Sequence, residues 1–145
     1  MWLLPFFLVF LALGGFYGGL SMLTDPSGHS LQMAEVLPLV RVPTHRLPGL
    51  FLVTVRGALP LVLVFALLAR PVWPWLDRLF VWSRHHWAWT TSLGLGLVLV
   101  LWLAVQAALI GFRWPIQSLT GMNGLLIIVL ALVPSVQRHY RLKQR

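Results

Sequence analysis

The run LPGLFLVTVRGALPLVLVFALLA carries a single charge, Arg56. A guanidinium keeps its charge in proteins. At the centre of a membrane helix it costs about 2.5–3.5 kcal/mol, so it faces the interior and finds a partner. Counted from Pro48 at about 1.5 Å per residue, the Arg56 Cα lies roughly 12 Å into the apolar run. Three outcomes fit: the side chain snorkels toward the outer headgroups, it pairs with Asp25 or Glu35, or it contacts an anionic or carbonyl group of a ligand. Gln106 lies at a similar depth in a later apolar run, with Trp102 one turn deeper on the same helix face. Gln117 stands at the outer start of the last run. These residues are expected to converge on an outer-half pocket, with Arg56 facing Asp25 or Glu35 and Gln106. The simpler expectation for the amides is interhelical hydrogen bonding, worth ~0.6 kcal/mol each.

Other chemistries lack their residues. Asp25, Glu35 and Asp77 are the only acids, too few and too scattered for a catalytic dyad or a carboxylate metal site. His29, His45, His85, His86 and His139 all fall in loops or the tail, where no pair can ligate a haem between helices. His85 and His86 are adjacent, unlike zinc ligands one helical turn apart. Cysteine is absent, which removes disulfides, thiolate sites and thiol nucleophiles. There is no phosphate-binding glycine loop. The expectation is a protein that is not an enzyme and has no metal and no cofactor.

The elements that must hold Arg56 are membrane helices. Of 145 residues, 59% are hydrophobic and 10% charged, against about 25% charged in a soluble domain. Mean hydropathy is +0.84. Such a chain has no water-compatible surface. The fold class is all-α: a polytopic membrane protein, one four-transmembrane-helix bundle over residues 1–145. The expected spans are about 2–23, 49–69, 88–111 and 116–136, each near the ~20 residues that cross the hydrocarbon. The first run lacks a basic n-region and an A-x-A site, so it reads as a retained helix rather than a signal peptide. It ends in GGFYGG, which sets Gly14 against Gly18 and Gly15 against Gly19. Small-xxx-small spacing lets another helix approach closely.

Residues 24–48 form an outer loop. Asp25-Pro26 suits a helix cap or a turn, and the apolar stretch Leu31–Val40 is too short to span. A structured cap over the bundle is expected there. The connection ARPVWPWLDRLFVWSRHH mixes Trp73, Trp75, Trp82 and Trp87 with Arg70, Arg78 and Arg84, the composition of an interfacial belt. Leu76, Leu79 and Phe80 point to a short helix on the membrane surface. Phe112–Pro115 reads as a tight turn, and 137–145 is a basic tail. Arg70, Arg78, Arg84, Arg138, Arg141, Lys143 and Arg145 would share one side, against Arg41, Arg46 and Arg113 on the other. The positive-inside rule then puts both termini in the cytoplasm of an inner (plasma) membrane protein. The net charge of +8 is a topology signal, so no nucleic-acid partner is expected. The tail could also meet anionic lipid.

The motifs DPSG (Asp25–Gly28), LPGLFL (Leu47–Leu52), GALPL (Gly57–Leu61), WLAVQ (Trp102–Gln106), PIQ (Pro115–Gln117) and P-x-x-x-R (Pro134–Arg138) resemble those of small bacterial four-helix membrane proteins of unknown function. More distantly the chain resembles the DoxX-like families, some of which accompany quinone-linked redox systems. The resemblance implies a fold and a topology, with any shared role on Asp25, Gly28, Pro48, Gly49, Gly57, Trp102 and Gln106. It implies no catalytic residue. Two functions are expected: an accessory or structural subunit packing against other membrane subunits or its own copies, or a binder of a small amphipathic lipid or quinone near Arg56 and Gln106. The lipid bilayer is a partner in both.

Overall fold

The computed structural model describes residues 2–25, 46–111 and 115–141. Glu35, the Leu31–Val40 stretch, the turn residues Phe112–Trp114 and the final tail residues 142–145 lie outside the described set. Within it every named element is helical: α1 (Leu3–Thr24), α2 (Arg46–Ala69), α3 (Pro74–Leu79), a 3-10 turn (Val81–Ser83), α4 (Trp87–Ile110), α5 (Pro115–Leu132) and α6 (Pro134–Tyr140). By length and composition α1, α2 and α4 can each cross a membrane. The α5–α6 pair qualifies only as a broken span, bent by 67°.

The boundaries follow from backbone chemistry. Asp25 closes α1, its N–H bonding the Ser21 carbonyl at 3.0 Å. α2 begins at Arg46, ahead of the expected Gly49, because Pro48 falls in the first turn, where its missing N–H has no partner to lose. The expected fourth span, about 116–136, is interrupted by a helix break: α5 stops at Leu132. Val133, pushed out of the helical region by the following proline, is extended at φ −58 and ψ 127, and Pro134 starts α6.

α1 packs mainly on α2, and α4 mainly on α5. Further contacts join α1 to α5 and α2 to α4. The closest approaches are made through glycine. A Cβ on Gly19 would sit 2.8 Å from both the Gly49 carbonyl oxygen and the Val53 nitrogen, and one on Gly15 would overlap the Arg56 carbonyl. A Cβ on Gly96 would lie 3.1 Å from the Gly124 oxygen across the α4–α5 contact. Of the four glycines in GGFYGG, only Gly15 and Gly19 do this. A Cβ on Gly14 would meet nothing within 4 Å, and one on Gly18 only Leu52 Cδ1 at 3.5 Å.

The buried apolar core gathers Leu4, Leu8 and Leu11 of α1, Leu63, Ala66 and Leu67 of α2, Leu95 and Leu99 of α4, and Ile127 and Ala131 of α5. Large apolar side chains also cover the outside, Phe6, Leu13 and Leu101 among them, each more than half exposed. A water-soluble monomer does not expose apolar surface on this scale.

Candidate functional site

α2 is not a uniform α-helix. From Leu52 to Ala58 it widens into a π-helix, with the Leu59 N–H reaching the Thr54 carbonyl. The cause is legible in Pro60. In an α-helix its ring would clash with the carbonyl of Arg56, four residues back, and it has no N–H to bond that carbonyl. The wider turn relieves the conflict. The freed Arg56 carbonyl faces Gly15, whose missing side chain makes room for it. Single π turns recur at functional sites.

From this turn the Arg56 side chain crosses to α5, where Nη2 donates to Thr120 Oγ1 at 2.9 Å. Arg56 therefore does not snorkel outward, and among the described residues no carboxylate pairs with it. Its Nε is buried and has no acceptor. Thr120 shares one face of α5 with Gln117 and Asn123, all three buried, at the three-residue spacing that stacks side chains along a helix. Asn123 donates through Nδ2 to the Phe7 carbonyl at 3.4 Å, while its Oδ1 is buried without a donor.

The expected residues are only partly brought together. Trp102 stacks on Phe51, ring centroids 4.9 Å apart, just before the π segment. Gln117 lies on the Thr120 face. Gln106 is half-buried and makes no side-chain hydrogen bond among the described residues, so the expected Arg56–Gln106 convergence is not formed directly. Asp25 ends α1 and is not the partner of Arg56; Glu35 falls outside the described residues. Thr120 and Asn123 were missed by sequence reasoning. The pattern Gln117-x-x-Thr120-x-x-Asn123 in an apolar run was the available signal.

A second polar group closes the opposite end. Arg70 ends α2 in the left-handed region at φ 51, and its guanidinium lies 5.1 Å from the centre of the Tyr140 ring while donating to His139 Nε2. Tyr140 donates to the Leu67 carbonyl at 3.3 Å. His86 caps α4: its Nδ1 accepts the Ala88 N–H at 3.3 Å, its Nε2 donates to the Pro71 carbonyl at 3.3 Å, and its backbone N–H bonds the Tyr140 carbonyl at 2.9 Å. Burial pushes the His86 imidazole below its ordinary pKa, against the pull of the Pro71 carbonyl. Trp87, one of the tryptophans expected in an interfacial belt, is buried and stacks on Trp73 with 5.2 Å between ring centroids.

Chemically, the Arg56 site offers a fixed cation, an oriented donor and neutral amides. It has no base beside the Thr120 hydroxyl, and no trio of metal-binding side chains exists among the described residues. The chain matches no protein-family model, no curated protein and no solved structure.

Proposed function

We propose that the protein is a multi-pass protein of the inner (plasma) membrane, a four-helix bundle with both termini in the cytoplasm. Its role in this reading is to bind the polar head of a small amphipathic molecule, a lipid or a quinone, at Arg56 without catalysis. The observation that carries this is the buried Arg56 Nε without an acceptor. A buried unsatisfied donor costs about 1–3 kcal/mol, more on a charged group, and a ligand oxygen would remove that cost. Gentle detergent extraction followed by native mass spectrometry tests it. The wild-type protein should retain a small molecule that Arg56→Leu loses; a bare wild-type protein, or equal retention in the variant, overturns the reading.

A second reading, an accessory subunit or a homo-oligomer, is favoured by Gln106. Its amide is half-exposed on the outer part of α4, where no residue from Leu101 to Leu109 is buried. An amide facing lipid lacks partners that a neighbouring helix supplies. A fixed co-purifying subunit, lost in Gln106→Leu, would support it.

The topology rests on Arg70, Arg78, Arg84, Arg138 and Arg141, which follow the inner ends of the spans in this reading. The chain has no cysteine, so single-cysteine labelling is clean. Ser30→Cys should react with an impermeant reagent on intact cells and Arg145→Cys only after lysis; the reverse pattern overturns the orientation.

A further inference from the structure

We infer that the group held at Arg56 is an oxyanion, a carboxylate or phosphodiester, carried on an acyl chain. This rests on the binding reading above and narrows it. Over their described lengths α1, α4 and α5 carry no charged residue, and α2 carries only Arg56 beyond its first residue. Among the described residues the guanidinium's hydrogen-bond partner is the neutral Thr120, and Gln117 and Asn123, buried on the same α5 face, are neutral as well. Neutral acceptors satisfy hydrogen bonds but leave a net charge in a low-dielectric interior, where an unpaired ion is penalised most.

A quinone carbonyl would fill the Nε position and leave that charge standing. An oxyanion fills the position and also cancels the charge. The π segment packs on α1, and beyond the Phe51–Trp102 stack the outer half of α4 buries no residue. The exposed side chains there, Leu101, Val105 and Leu109, are apolar, a surface that accepts an acyl chain and gives nothing to a free inorganic ion.

The test uses the full-length protein in a neutral detergent, with calorimetric titration of oleate, phosphatidylglycerol, decylubiquinone and sodium phosphate. Oleate or phosphatidylglycerol should bind at least about tenfold more tightly than decylubiquinone, and Arg56→Gln should lose at least about tenfold of that affinity. Preference for oleate identifies a free fatty acid, and preference for phosphatidylglycerol a phospholipid head; either supports the inference. Sodium phosphate alone should not bind measurably. Decylubiquinone binding as tightly as the anions overturns the charge argument and leaves the binding reading intact. Failure of all four probes overturns both. If Arg56→Gln does not fold, Thr120→Val and Arg56→Lys serve. Lys keeps the charge, so Arg56→Lys should retain the preference for anions over decylubiquinone, with weakened affinity. Anion affinity unchanged in both variants places the anion elsewhere and overturns the assignment.

Discussion

Arg70 and Arg56 stand on the same helix and are held in different ways. Around Arg70, α2 and α5 end, and the carbonyls that a helix end leaves open are met by side chains: Leu67 by Tyr140, Ala131 by Trp89 Nε1 at 2.9 Å, and Leu132 by Gln137 Nε2 at 3.0 Å. Pro71 beyond α2 receives His86 and Trp87. Around Arg56 the helix is interrupted mid-course, and among the described residues the cation has one neutral partner, with Nε and Asn123 Oδ1 left over. An end whose open carbonyls are met in this way is built for stability. A buried site with groups left over is where a molecule from outside gains by binding, and the two regions should answer mutation in opposite ways.

The largest effect is expected where the π turn meets α1. In Gly15→Leu the new side chain collides with main chain, which no rotamer change relieves, and a loss of about 3 kcal/mol or more follows. Gly14→Leu, aimed at open space, should stay within about 0.5 kcal/mol of wild type. Thermal unfolding of both variants in neutral detergent checks this, and equal behaviour would break the assignment of the α1–α2 contact to Gly15.

Next comes Trp89→Phe at the Arg70 end. It removes the donor to the Ala131 carbonyl just before the α5–α6 break, leaving a buried acceptor open, for a loss of about 2 kcal/mol. A smaller, pH-dependent effect is expected from His86. Its Nδ1 must be unprotonated to accept the Ala88 N–H, and burial holds its pKa below the ordinary 6.5. The unfolded chain, with an ordinary histidine, binds a proton that the folded chain refuses. Stability is therefore complete above about pH 6.5 and falls as pH drops through that value. Asp77 opposes this shift and Arg70 adds to it. Unfolding temperatures of wild type and His86→Asn between pH 7.5 and 5 should converge toward acid, since the variant cannot titrate there; parallel curves would remove His86 from the account.

The helical class and its apolar runs were legible because hydropathy and length alone decide them. Proline and glycine marked the loop edges, but the break at Val133 was missed because Pro134 entered only as part of the P-x-x-x-R motif and not as a constraint on its predecessor. Arg56 stood out through its charge. Its partner did not, because a threonine in an apolar helix carries no cost that marks it. The π turn was hidden for a related reason. Pro60 was visible, but only packing against Gly15 shows where its clash is relieved.

The smallest stability effect is expected at Arg56 itself, and it discriminates best between the two regions. Arg56→Met keeps much of the side-chain length and removes the charge. Were the guanidinium a structural partner in a buried ion pair, removing it would cost about 3–5 kcal/mol, because the other ion would be left alone. With one neutral acceptor in place and Nε open, the substitution frees Thr120 Oγ1 and relieves an uncompensated cation. The two effects nearly offset, leaving stability unchanged within about 1 kcal/mol or slightly raised. Thermal unfolding of ligand-stripped wild type and Arg56→Met in neutral detergent measures it. A drop as large as that of Trp89→Phe would make Arg56 a structural residue like Arg70, and the contrast between the two ends would fail.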